Sequence, residues 1–391
     1  MGYEIVFWLC VLGVFYTYFC YPMLLFGFSL ITSTIKRRFM DSSLDVSADT
    51  VGVVKPSVAV IIAAFNEEKH IIGRIKNLLN QDYQQDLLNI YIGSDGSDDK
   101  TCELIESLAH PRVRLFPFKQ RRGKVAVLND LISTVNEPII VMSDANTSFS
   151  SSAISHLVRH FDKASIGAVC GELDLIEMDK TNNKDNLYWR YEQFLKDHEG
   201  VLGGLLGANG GIYAFRQSLY EPLPTDTIVD DFTIAMRIAL SGFQVVYDRE
   251  ARATEEIAPS LADEYKRRVR IGMGNYQAMA RLPDALNPRH GWLWFTYVSH
   301  KVGRWLVPHA LLLTLFCSLM LSHKMFYAAV LLVQISAYCI VWLAPKVFSQ
   351  NQTPALVQIL SFFVKMNVAL GHGFIKWSLP GSTGVWARTA R

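Results

Sequence analysis

From Val6 to Thr32 the chain carries no charged residue. That run exceeds the roughly 20 residues a helix needs to cross a bilayer, so part of the chain is committed to lipid before any other element is considered. A secretory signal would show a basic leader, a shorter apolar core and a small-residue cleavage site. The run has none of these and is read as a retained transmembrane helix, residues 1–34. Lys36, Arg37 and Arg38 follow at once, and the positive-inside rule then puts the next domain in the cytoplasm. Apolar residues gather again from Leu306 to Leu321 and from Met325 to Phe348, two expected spans joined by the polar turn Ser322-His323-Lys324. Ala355–Trp377 holds Lys365, Asn367, Gly371 and His372 and reads as a span or an interfacial segment. Four spans would leave Arg388 and Arg391 outside, against the charge rule.

The expected plan is therefore a transmembrane helix (1–34), a linker (35–55), a cytosolic domain (56–288), an interfacial helix (289–305), C-terminal spans (306–378) and a tail (379–391). A net charge of +2 suggests no nucleic-acid partner. The six cysteines form no C-x-x-C pair and four lie in apolar runs, so they read as buried hydrophobes and not as a disulfide or zinc framework. Few ionisable groups interrupt the spans, which argues against a transporter or channel. Lys365 can snorkel to the interface.

The middle alternates between two periods. Ser57–Ala64 is a continuous apolar run, a strand buried on both faces. Glu67–Asn80 has Ile71, Ile75, Leu78 and Leu79 at helical spacing. Strands at Leu88–Gly93, Val113–Phe118 and Pro138–Met142 alternate with helices at Cys102–Leu108 and Lys124–Val135. This rhythm predicts an α/β domain whose mainly parallel sheet is covered on both faces, with ligands beyond the carboxyl ends of the strands.

Three polar clusters fall where those strands end: Phe65-Asn66-Glu67-Glu68, Ser94-Asp95-Gly96-Ser97-Asp98-Asp99 and Ser143-Asp144-Ala145-Asn146. Singly, each reads as a cap for the next helix. Together on one sheet edge they would concentrate oxygen ligands in one cleft. A sugar diphosphate needs such a place, because a divalent cation is held by one or two carboxylates while the phosphates complete its shell.

The order Ala64-Phe65-Asn66-Glu67-Glu68, Ser94-Asp95-Gly96-Ser97, Ser143-Asp144-Ala145-Asn146 resembles the family 2 glycosyltransferases of GT-A fold. The likeness is to membrane-bound members related to cellulose, chitin, hyaluronan and poly-N-acetylglucosamine synthases. It extends over Arg122-Gly123-Lys124, Gly207-Ala208-Asn209-Gly210-Gly211, Val229-Asp230-Asp231, Arg267-Arg268-Val269-Arg270, and Ser299-His300-Lys301 with Arg304-Trp305. The resemblance implies a UDP-sugar donor and Mg²⁺ or Mn²⁺, with Phe65, Glu67 and Asp95 at the nucleoside end and Lys124, Arg267 and Arg270 along the phosphates. It makes Asp144 the first acid of a D-x-D metal motif whose second acid is replaced by Asn146. It makes Asp231 the catalytic base that takes the acceptor proton, with Gly210, Gly211 and Asp230 at the acceptor end. Processive members carry Q-x-x-R-W where this chain has Arg267, Arg270 and Ile271, so the tryptophan that seats a growing polymer is absent.

Plainer readings accompany each motif. Asp230 and Asp231 can cap the helix that Phe232, Ile234, Ala235 and Ile238 outline. Gly207–Gly211 can be a turn, and the arginines a headgroup-facing stripe. The aromatic and cationic mixture from Gly291 to Trp305 reads as an interfacial helix, because burying Lys301 and Arg304 would be costly. Asn351-Gln352-Thr353 is a glycosylation-type triplet of little weight.

The expected function is inverting transfer to a growing glycan at the cytoplasmic face of the plasma (inner) membrane, with an export or synthase subunit as a conceivable partner. The alternatives are single addition onto a lipid acceptor and a non-catalytic nucleotide-binding partner.

Overall fold

The computed structural model describes residues 1–41, 55–176, 184–256, 261–348 and 353–379. The tail, most of the linker and most of the Asn351–Thr353 triplet lie outside them.

The strands are β1 (Val58–Ala64), β2 (Leu88–Asp95), β3 (Val113–Phe118), β4 (Ile139–Met142), β5 (Thr147–Phe149), β6 (Ile166–Ile176), β7 (Tyr213–Arg216) and β8 (Gln244–Glu256). They form one sheet in the order β3-β2-β1-β4-β7-β6-β8-β5. β3, β2, β1 and β4 run parallel, with Val58 opposite both Leu88 and Ile139. β4 stops opposite Ile61, three residues before the end of β1, and the three polar clusters leave from the same edge of the sheet. β7 runs antiparallel to both β4 and β6, β8 is parallel to β6, and β5 is antiparallel to β8.

Alternate residues of β1 enter separate cores. Val58, Val60 and Ile62 meet Ile71, Ile75 and Leu78 on one face. Ala59, Ile61 and Ala63 meet Val127, Leu128, Leu131 and Ile132 on the other. A strand buried on both sides needs an unbroken apolar run, and the run at Ser57–Ala64 supplies it. The apolar side chains thus set the register, and the register sets the edge.

Among the described residues, four helical segments are long and apolar enough to cross a membrane: Gly2–Ile35, Trp292–Met320, Met325–Val347 and Ala355–Ser378. Two of them contain a π-helical stretch, Tyr16–Cys20 and Tyr297–Val302. These stretches meet where the Tyr16 hydroxyl lies 2.8 Å from Ser299 Oγ. The residues expected as a separate interfacial helix run straight into the following span. Lys301 and Arg304 are enclosed there against expectation, because the Lys184–Leu202 helix presents Glu192 and Glu199 to that face.

The last apolar helix lies on Leu261–Arg281, where Gly272 and Gly373 let the two backbones approach. A Cβ on Gly373 would stand 2.6 Å from Met273 N, and one on Gly272 would stand 3.2 Å from Leu370 Cα. This contact ties the arginine-bearing helix of the domain to a membrane-length helix.

Candidate active site

The first two polar loops are laced together. Asn66 takes the left-handed conformation (φ 56°), which its short amide tolerates. It donates to Asp98 Oδ1 at 2.5 Å and accepts from Asp98 N at 3.0 Å. Glu67 N donates to Thr101 Oγ1 at 2.8 Å. Asp95 is buried, and its two oxygens accept from Arg122 N (2.7 Å) and Gly123 N (2.9 Å). Gly96 has φ +70°, and a Cβ there would meet Arg121 N at 2.8 Å, so only glycine fits this crossing. Asp95 thereby fixes the segment that delivers Lys124. Phe65 lies under the Arg121 guanidinium, 4.0 Å from the ring centre.

Lys124 begins the Lys124–Thr134 helix and bridges two carboxylates, Asp144 Oδ1 at 3.0 Å and Asp230 Oδ2 at 3.5 Å. Burial alone would strip its proton, but Asp144 and Asp230 outweigh burial and hold the ammonium charged above its ordinary range.

Asp230 and Asp231 open the Asp230–Leu240 helix, where the backbone dipole favours negative charge. Asp231 Oδ1 accepts from Phe232 N at 2.8 Å. Burial, and then the adjacent Asp230, push the Asp231 carboxyl up to about 6, while Lys124 pulls the other way. Asp230 Oδ2 is buried and accepts no hydrogen bond among the described residues.

The glycine loop comes up to this acid. A Cβ on Gly210 would stand 3.1 Å from Asp231 Oδ2, and Gly207, at φ +77°, clears Phe232. Gly211 faces Thr147 and Leu173. Asn209 anchors the loop by donating to Gly171 O at 2.6 Å and accepting from Lys196. That carbonyl sits at an irregularity in the β6–β8 ladder, between Gly171 and Glu172.

The two arginines assigned together to the phosphates stand apart in their contacts. Arg267 is held by Glu264, with Nε 2.9 Å from Oε2. Arg270 is half-buried and feels Asp230, Asp144 and Asp231. Burial lowers its guanidinium, and the acids counter that. Asn146 turns its amide to Glu255 Oε1 at 3.2 Å, across the β5–β8 pairing of Thr147 with Glu255. Asp144, Lys124, Asp230, Asp231, Arg270 and Gly210 therefore converge, whereas Phe65, Glu67 and Asp95 shape the neighbouring loops. For a hard cation the site offers Asp144, a carboxylate on the sheet edge, and Asp230, whose buried Oδ2 is held by Lys124 in an ion pair and not in a hydrogen bond.

Sequence reasoning missed Arg74, which is buried beneath the metal-type loop. It donates to Ser143 Oγ at 2.7 Å and stacks 4.0 Å from the Phe149 ring centre. Its signal was legible, since Arg74 falls on the helix face of Ile71, Ile75 and Leu78 where an apolar residue belongs. Glu255 was also missed; it lies in β8, whose exposure alternates irregularly.

The "Glycosyl transferase family 2" profile matches residues 59–223, which carry β1 to β4, β7, Asp95, Lys124, Asp144 and the glycine loop. A poly-beta-1,6-N-acetyl-D-glucosamine synthase of Staphylococcus aureus (strain COL) is 22% identical over 258 residues, covering 63% of this chain and 60% of that protein. Its Staphylococcus epidermidis counterpart is 22% identical over 260 residues, covering 63% and 61%. The chain thus spans about three fifths of the length of these curated relatives. A mannosyltransferase from Pyrobaculum calidifontis, solved with GDP-Man and Mn²⁺, superposes with a TM-score of 0.68 at 19% identity, covering 96% of this chain and 98% of that one. Residues 59–223 thus match the family 2 glycosyltransferases, within a fold like that of a GT-A enzyme and joined to helices long and apolar enough to span a membrane.

Proposed function

We propose that the protein transfers a sugar from a UDP-sugar to the hydroxyl of a growing glycan at the cytoplasmic face of the plasma (inner) membrane, with inversion at the anomeric carbon. The observation that carries this reading is Asp231: a carboxyl raised to about 6, beside a residue without a side chain, at the edge that Lys124 and Asp144 share. A base titrating near 6 is ionised at neutral pH yet basic enough to accept a proton from an alcohol in flight.

The acceptor oxygen attacks the anomeric carbon, its proton passes to Asp231, and the bond from that carbon to the diphosphate breaks with its electron pair leaving on the diphosphate. Lys124 and Arg270 face the charge that gathers there. Mg²⁺ or Mn²⁺, when bound, neutralises the diphosphate. Asp144 would hold it, and Asn146, whose amide nitrogen donates to Glu255, would offer its amide oxygen.

A second reading, single addition to a lipid acceptor, draws on Ile271, which stands where processive members have tryptophan. Product sizing separates the two, giving a ladder in one case and one glycolipid in the other. The first test is UDP release from a panel of UDP-sugars by purified membranes, with and without each metal. Release from no donor under any condition overturns the proposal.

A further inference from the structure

Glu192 and Glu199 stand seven residues apart on one helix and are almost fully enclosed. Glu199 accepts from the Tyr21 hydroxyl at 2.6 Å and lies 2.6 Å from His300 Nδ1. Glu192 is paired with Arg304 and lies 3.7 Å from His300 Nε2. Glu172, close by, accepts from Gln193 and Tyr247. The acids of this junction are therefore occupied.

Lys301 is half-buried in the same place, within electrostatic range of Glu192, Glu199, Arg304 and Lys196. It makes no ion pair or hydrogen bond among the described residues. An ammonium brings three donors, and none of the three is used in a hydrogen bond among the described residues, although Glu192 and Glu199 attract the charge. Sugar hydroxyls would satisfy the donors but leave the charge; an anion answers both. Lys196 adds a second ammonium, which bonds Asn209 and sits 5.8 Å from the Tyr247 ring centre. Asn209 immediately precedes Gly210, the residue against Asp231.

The position is also on a helix long and apolar enough to cross a membrane. Lys301 lies there in the π-helical stretch that touches its counterpart in the first span. Inserted π turns recur where proteins bind ligands, and aromatic residues such as Trp292 and Phe295 beside cations mark headgroup depth.

We infer that Lys301, with Lys196 and Arg304 beside it, binds a phosphate group, from a lipid headgroup or from free phosphate, at the membrane end of the acceptor cleft. The assignment rests on the proposed reading of the Asn209–Gly211 loop as the acceptor end. A lipid held there by its phosphate would lie alongside the path to Asp231.

The test uses the full chain in dodecyl maltoside, a detergent without phosphate, and reads the thermal midpoint. Phosphatidic acid should raise it saturably by several degrees. Lys301→Arg should keep the shift. Lys301→Met should lose it, whatever its own midpoint without added lipid. Inorganic phosphate is the second arm: no shift with it assigns the site to lipid, and an equal shift assigns it to free phosphate. Absence of a shift with both, or an undiminished shift in Lys301→Met, overturns the inference. UDP release measured on the same samples reports separately on the transferase reading.

Discussion

The Asn209–Gly211 loop touches two buried clusters of mixed charge that are built in opposite senses. On its Gly210 side, three acids (Asp144, Asp230 and Asp231) face Lys124 and Arg270. On its Asn209 side, Glu192 and Glu199 face Arg304, His300, Lys301 and Lys196. Burial raises every carboxyl, so the number and closeness of cations decide the outcome. Asp231, with a second acid beside it, ends raised to about 6. Glu192 is more enclosed, yet Arg304 and His300 outweigh burial and hold it well below the ordinary carboxylate range. An acid left short of partners remains available for proton transfer, and an acid fully matched becomes a fastening.

The comparison predicts opposite signs for the same isosteric change. Asp231→Asn should cut sugar transfer by about 10²–10⁴-fold, the usual worth of a positioned base, while raising the thermal midpoint, because it removes a carboxylate the fold disfavours. Transfer at parental rate, or a lower midpoint, would break the contrast. Glu192→Gln should act in reverse. It strands Arg304, and loss of one partner of a buried ion pair costs about 3–5 kcal/mol, read as lower stability in denaturant with little change in donor affinity. Arg304→Met should match it from the other side.

Acid separates the clusters next. The folded value for Asp231 is raised, so the folded state takes up its proton more readily than the unfolded chain. Between about 6 and the ordinary 3.8, acidification therefore adds stability through Asp231 while removing the base. Transfer should fall about tenfold per pH unit below 6. The folded value for Glu192 is depressed, so its contribution is fully present above the ordinary 4.5 and is lost only as pH falls through its lower folded value. Lys124→Met removes the cation that pulls Asp231 down, so the acidic limb of the rate profile should move to higher pH on top of a lower plateau. An unmoved limb would mean that another group controls it.

What the sequence disclosed follows the same division. β1, β2 and β4 were legible because each is a short, largely apolar run closed by polar residues, and parallel strands buried on both faces admit little else. The three polar clusters were legible as one edge for the same reason. β6 and β8 were not: they are long, differ in exposure along their length and shift register twice. The Glu192–Arg304 and Glu199–His300 pairs were illegible because each joins residues more than a hundred positions apart. A lone reading of Lys301 and Arg304 as exposed was reasonable until the acids of another helix were placed against them. Arg74 was an available clue passed over, a charge on an apolar face that points to the Ser143 loop above it.

The smallest expected effect concerns Asn146, which stands where the D-x-D pattern that this segment resembles has its second acid. Restoring the acid with Asn146→Asp would add charge for a hard cation, which by itself favours tighter binding. The structure opposes that gain, since Asn146 donates to Glu255 Oε1 at 3.2 Å and an aspartate cannot donate when ionised. Two carboxylates would then face one another across the β5–β8 pairing, a repulsion relieved only by a bound cation. Asn146→Asp should therefore lose stability without metal and recover it with Mn²⁺, with only a modest change in the metal concentration for half-maximal transfer. Asn146→Asp with Glu255→Gln should recover stability without metal, because glutamine can donate where Glu255 accepted. Equal stability of the single variant with and without Mn²⁺ would place the cation elsewhere and leave Asn146 as a strut between β5 and β8.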